Sequence, residues 1–201
     1  FYREGTITPF MEKFRVVSFD MDGTLIKETC WYILHGYFKI DLHTSQRYIE
    51  DYINGKIIFQ ELVEREIELW KKDGKLPHIG EVKKALERYT LVKNAKTTMS
   101  TLRDMGYITS LVTHGLDILA NNIKAELKID HVFANTLETD AHGYLTGNQF
   151  NKVCLGKKNE VLEQLSYQLK IPLSLFVAVG DTKYDLSMFH DVGLRIAFNP
   201  K

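Results

Sequence analysis

A short apolar run, Val16, Val17 and Phe19, drives directly into two acids, Asp20 and Asp22, and leaves through Gly23 and Thr24. The run reads as a buried strand, and a buried strand that ends in like charges constrains the fold sharply. Crowded carboxylates are tolerated where a cation or a reaction requires them. Parallel α/β sheets place such groups at the carboxyl ends of their strands, near the point where strand order reverses.

The rest of the chain repeats the pattern. Strand-like runs cover 15–20, 107–112, 131–134, 173–179 and 194–198, with helical periodicity over 95–105, 116–127, 158–169 and 184–190. Strands alternating with helices predict a doubly wound, mostly parallel sheet covered on both faces, an α/β Rossmann-like core. Residues 137–150 read as a small hairpin with Gly143 and Gly147 as turn residues. Between Glu28 and Leu91 there is no strand pattern, only helical ones over 29–40, 44–54, 59–72 and 79–89. This predicts a helical-bundle cap over 28–91, inserted into a core formed by 14–27 and 92–201, with 1–13 set aside as an N-terminal extension. The chain stops just after its last strand-like run, where a sheet domain is expected to carry one more helix.

The third cap helix carries an anomaly. Its apolar stripe is Phe59, Leu62, Val63, Ile67 and Trp70, and Glu66 falls near the middle of it. A carboxylate on a packing face must find a partner, snorkel out or face a polar cavity.

Other strand ends add to the first. Thr113, His114 and Gly115 follow one, and Asp181 and Asp185 follow another. Lys157 and Lys158 stand at a helix start, where the dipole disfavours cations unless an anion lies beside them. Asp20, Asp22, Asp181 and Asp185 in one cleft call for a hard divalent cation, and Mg²⁺ suits few protein ligands combined with phosphate and water. A calcium loop is excluded, because counting from Asp20 puts Thr24 at position five, Leu25 at six and Trp31 at twelve.

Four motifs, "FDMDGTL" (19–25), "SLVTHG" (110–115), "KNEVL" (158–162) and "VGDTKYDLSMF" (179–189), resemble in order those of the haloacid dehalogenase superfamily of phosphohydrolases. The inserted cap is most similar to that of the phosphoserine phosphatase branch. The resemblance implies Asp20 as nucleophile, forming an aspartyl-phosphate, and Asp22 as general acid and then base. It implies Thr113 and Lys158 on the phosphoryl group, with Lys157 as the alternative lysine, and His114 and Gly115 around it. Mg²⁺ would be held by Asp20, the Asp22 carbonyl and Asp181, with Asp185 in support. In the cap, Glu28 or Thr29 matches a substrate-gripping glutamate, while the expected arginine position falls on Glu66, beside Arg65; Tyr184 stands where the branch has asparagine. A carboxylate at Glu66 would repel a substrate carboxylate. The expected substrate is therefore a small phosphorylated metabolite rather than phosphoserine itself.

A phosphotransferase would use the same intermediate. An aspartate-phosphorylated signalling module shares the residue types but lacks a large helical cap. The 26 basic and 26 acidic residues cancel, so no field favours nucleic acid or an anionic membrane. No apolar run reaches the roughly 18 residues that span a bilayer. Cys30 and Cys154 lie far apart without metal-type spacing, which reads as a reduced, cytoplasmic protein. Oligomeric state is not encoded in any of these features.

Overall fold

β1 (Val16–Phe19) is buried along its whole length and occupies the middle of a six-stranded sheet. In a computed structural model that describes residues 13–200, the strand order is β4-β3-β2-β1-β5-β6. The other strands are β2 (Ile108–Leu116), β3 (His131–Thr139), β4 (Leu145–Phe150), β5 (Phe176–Gly180) and β6 (Leu194–Ala197). β1 pairs in parallel with both β2 and β5, so that Phe19 sits between Leu111 and Val179. Only β4 is antiparallel. The chain winds outward from β1 first through β2 and β3, then through β5 and β6. Strand order thus reverses beside β1, and the carboxyl end of β1 opens into that crevice.

Side chains alternate across the sheet. Val17, Phe19, Leu111, Val177 and Val179 pack on one face with α5 (Ala95–Asp104) and α6 (Asp117–Leu127). Val16, Val112, Phe176 and Ala178 pack on the other with α7 (Lys158–Leu169). Both faces are covered, as the near-continuous apolar strands require.

Four helices fall between β1 and α5: α1 (Cys30–Phe38), α2 (Leu42–Ile53), α3 (Phe59–Glu68) and α4 (Ile79–Ala85). The chain enters and leaves them side by side, with Lys27 N–H donating to the Thr90 carbonyl at 2.9 Å and Val92 N–H to the Leu25 carbonyl at 3.0 Å. A second brace comes from the hairpin. Ile79 N–H donates to the Gly143 carbonyl at 2.8 Å, Leu145 N–H to the Pro77 carbonyl at 3.0 Å, and the His78 ring meets Tyr144 edge-on at 5.4 Å. Gly143 (φ +85°) is the turn glycine, and a Cβ there would lie 2.4 Å from His78 Nε2.

Several boundaries differ from those expected. β2 runs through Thr113–Gly115 to Leu116, with an irregular register against β3 after Val112, so these residues end a strand rather than start a helix. Gly147 lies inside β4, not in the turn. Pro172 opens a 3₁₀ turn over Leu173–Leu175, which delays β5 to Phe176. The 184–190 segment is also 3₁₀, over Lys183–Phe189, because Thr182 and Asp185 form a capping box at its start. Among the described residues, no helix is long and apolar enough to cross a membrane.

Asn135 on β3 joins the two halves of the site frame. It is fully buried, donates to the His114 and Val153 carbonyls at 3.0 and 2.9 Å, and accepts from the Lys152 and Val153 amides at 2.8 Å each. Asn135→Leu leaves four backbone groups without partners, so it should lower stability by about 3 kcal/mol or more in urea unfolding. A loss under about 1 kcal/mol would show that the frame does not depend on it.

Candidate active site

At the end of β1 the sheet ladder makes one last bond, Asp20 N–H to the Val179 carbonyl at 2.9 Å. The backbone then curls, and the amides of Leu25 and Ile26 return to the Met21 carbonyl at 2.9 and 3.1 Å. Gly23 permits this curl with φ +80°. It also admits Asp181, since a Cβ at Gly23 would lie 2.2 Å from Asp181 Oδ2. The glycine after the acids is thus needed twice.

The curl brings Asp20 against residues from two other segments. Lys158, at the start of α7, is fully buried, and its Nζ donates to Asp20 Oδ1 and, at 2.7 Å, to Asp185 Oδ1. The anion expected beside a lysine at this helix start is a pair of carboxylates. Lys157 is exposed and lies 3.8 Å from Glu160 at the surface, so Lys158 is the lysine at the site. Asp185 Oδ2 accepts from the Asp181 amide, the Thr182 amide and the Thr182 hydroxyl at 3.1, 2.9 and 3.0 Å. Asp185 therefore holds the loop and the lysine in place. Thr24 Oγ1 donates to Asp181 Oδ1 at 3.4 Å.

Asp22 stands apart from this pairing. Its Oδ1 accepts from the Cys30 amide at 3.0 Å, which ties it to the first turn of α1, and its Oδ2 has no hydrogen-bond partner among the described residues. Burial, then the Asp20 charge, pushes its carboxyl up to about 8. Burial raises Asp20 too, but Lys158 counteracts it and the value stops at about 6. Burial works against the Lys158 charge, yet the two carboxylates outweigh it and hold the ammonium above the ordinary lysine range. Two neighbouring acids are thereby divided at neutral pH into one ionised and one protonated group.

A cavity of about 520 Å³ opens between this cluster and the cap. Asp20, Asp22, Asp181 and Asp185 line its floor, and His114 and Tyr184 line it from the core side. Burial depresses His114 to about 3, so its imidazole is neutral. Thr113 and Gly115 lie behind the wall: the fully buried Thr113 hydroxyl accepts from the Gly115 amide at 2.9 Å. A Cβ at Gly115 would lie 2.8 Å from Met21 Cε. Glu66 does reach the cavity, from α3.

Glu28 does not. Its carboxylate accepts from the Thr90 amide at 2.8 Å, pinning the two linkers together on the exposed side, whereas Thr29 lines the cavity. Of the two positions expected to face the substrate, Thr29 and not Glu28 lines the cavity. Helix-start geometry decides it: Thr29 is the last extended residue before α1 and turns inward as the chain enters the helix. His35, which no motif or spacing in the sequence singles out, lies fully buried beside Glu66. Its one signal was its place next to Leu34 on the apolar side of α1.

The donor set fits a divalent cation. Asp20, Asp181 and Asp185 each present an oxygen within 4.8 Å of the others. Three carboxyl groups gathered around one buried lysine form an all-oxygen donor set, which suits a hard dication.

A family model for haloacid dehalogenase-like hydrolases matches residues 17–190. Among curated proteins, a phosphoserine phosphatase of Methanocaldococcus jannaschii is 33% identical over 94% of this chain and 88% of its own length. One of Archaeoglobus fulgidus is 30% identical over 96% of this chain, which spans 54% of that protein. Among solved structures, a phospho-aspartyl intermediate analogue of phosphoserine phosphatase superposes with a TM-score of 0.79 at 32% identity, covering 94% of this chain and 88% of that one.

The raised carboxyls set a pH dependence of stability. A carboxyl whose folded value lies above its ordinary 3.8 binds its proton more tightly when folded, so its contribution is full below 3.8 and is lost as pH rises through about 8 for Asp22 and about 6 for Asp20. The depressed His114 acts oppositely, but only below its ordinary 6.5. The metal-free protein should therefore lose stability between pH 6.5 and 8.5, and Asp22→Asn should flatten that slope. A wild-type urea midpoint that stays level or rises over this interval would contradict the assignment.

Proposed function

This chain belongs to the haloacid dehalogenase-like hydrolase family, and we propose that it is a Mg²⁺-dependent phosphomonoesterase acting on a small phosphorylated metabolite through a phosphoryl group carried by Asp20. One observation carries the reading: of two buried carboxyls two residues apart, Asp20 is bonded to the Lys158 ammonium, while Asp22 is held by the Cys30 amide and keeps one oxygen without a hydrogen-bond partner.

Each carboxyl then has a task. Asp20, ionised, attacks phosphorus in line, and the bond to the leaving oxygen breaks as Asp22 gives that oxygen its proton. An alcohol departs, and Asp22 is left as a carboxylate. In the second half Asp22 takes a proton from a water that attacks the same phosphorus. The bond to Asp20 breaks, inorganic phosphate leaves, and both residues return to their starting states.

Lys158 offsets negative charge beside Asp20 throughout. Thr113, whose hydroxyl accepts from the Gly115 amide behind the cavity wall, holds the end of β2 in place beside the phosphoryl site. Asp20, Asp181 and the Asp22 carbonyl would hold Mg²⁺, with Asp185 fixing Lys158 and the loop. When bound, the cation supplies charge neutralisation at the phosphoryl oxygens. The cap closes the space above, which limits the substrate to a small molecule and keeps bulk water from the reacting group. Cys30 and Cys154 are unpaired thiols, which suits the reducing cytoplasm.

p-Nitrophenyl phosphate tests the chemistry without reference to the natural substrate. Wild type should hydrolyse it in Mg²⁺, stop on addition of EDTA and recover with excess Mg²⁺. Asp20→Asn should lower kcat by about 10³-fold or more. Wild-type turnover by that variant would remove Asp20 as the nucleophile.

A further inference from the structure

At the cap end of the cavity lies a charge for which the phosphoryl chemistry has no use. Glu66 is only 5% exposed. Its Oε1 accepts from the Ser45 hydroxyl at 2.8 Å, and its Oε2 lies 2.9 Å from His35 Nε2. His35 Nδ1 in turn accepts from Trp70 Nε1 at 3.1 Å. An indole N–H can only donate, so Nδ1 is the acceptor and Nε2 is the ring nitrogen that faces Glu66. Ser45 and His35 together fix the orientation of Glu66.

Among the described residues, no lysine or arginine of the cap lines the cavity beside Glu66. Arg65, its neighbour in sequence, is turned to Glu61 at 2.6 Å, stands over the Tyr48 ring and does not line the cavity. The one cationic lysine or arginine on the cavity wall, among the described residues, is Lys183, which is exposed and belongs to the core loop after β5. Glu50 adds a further negative group at the exposed side of the cap. Trp31, Tyr32 and Phe59 share the cavity wall with Glu66. Aromatic faces and a fixed carboxylate together form a receptor for an organic cation. Each Glu66 oxygen also keeps a lone pair beyond the one its present neighbour faces.

We propose that Glu66 selects the leaving group, and that the substrate is the phosphomonoester of an amino alcohol, whose ammonium docks on Glu66 and which bears no carboxylate. This rests on the phosphomonoesterase reading above and gives it a substrate class. A carboxylate beside the ammonium, as in phosphoserine, would meet Glu66 with no cap cation to receive it. The reaction is unchanged: the bond between phosphorus and the amino alcohol oxygen breaks, and that oxygen takes the proton of Asp22.

The test compares O-phosphoethanolamine with propyl phosphate, which replaces the ammonium by a methyl group, and with O-phosphoserine, using the full chain in Mg²⁺. For wild type, kcat/KM should be about tenfold or more higher for O-phosphoethanolamine than for either of the others. Glu66→Gln should bring the ratio of O-phosphoethanolamine to propyl phosphate close to one, and Glu66→Arg should shift preference toward O-phosphoserine. If either variant fails to fold, the wild-type comparison decides alone. Equal or better use of propyl phosphate or O-phosphoserine by wild type overturns the proposal, as does a ratio that Glu66→Gln leaves in place. p-Nitrophenyl phosphate separates the two levels. A wild type that hydrolyses it without ammonium preference loses the substrate class alone, and one that hydrolyses nothing loses both.

Discussion

A single buried ammonium organises the molecule. Lys158 has no access to water, and its charge is tolerable only because Asp20 and Asp185 meet it from two other segments. Removing one partner of such a cluster leaves an uncompensated buried charge, which typically costs about 3–5 kcal/mol. The contact therefore docks α7 and the 3₁₀ turn after β5 onto the end of β1. It also decides which of two adjacent carboxyls stays ionised. Fold and chemistry share this interaction, because the cation that neutralises Asp20 sets Asp22, one curl of backbone away, apart from it.

The cap is tied to the same centre more closely than an inserted bundle need be. The Cys30 amide at the start of α1 holds Asp22 Oδ1, and Glu28 clasps the opposite linker through the Thr90 amide. The orientation of the acid thus depends on how the chain enters the cap. A second brace, from His78 and Pro77 to the hairpin tip at Gly143–Leu145, fixes the far side. The cavity lies between, with acids at its floor and the Glu66 carboxylate at its cap end. A small molecule with phosphate at one end and positive charge at the other matches that polarity.

Much of this was legible in the sequence because strand ends obey a topological rule. Asp20, His114 and Asp181 each follow an apolar run, and a parallel sheet must bring such ends together. Lys158 was legible because a lysine at a helix start needs an anion. Other features turn on a single residue of register, which periodicity does not resolve. Glu28 and Thr29 differ by one position, yet one clamps a linker and the other faces the cavity. The 3₁₀ turn at Lys183–Phe189 came from capping by Thr182 and Asp185, a local competition that outweighs helical spacing. His35 was hidden for another reason: its partners Trp70 and Glu66 lie 35 and 31 positions away, so only packing reveals it.

The central claim is that a phosphoryl group passes onto the Asp20 side chain. Rapid acid quench during turnover of a ³²P-labelled aryl phosphate, followed by peptide mapping, examines it directly. The account requires label on the peptide containing Asp20, acid-stable and labile to hydroxylamine as an acyl phosphate should be. Turnover with label on a serine, threonine or histidine, or with none on the protein at any quench time, would contradict it.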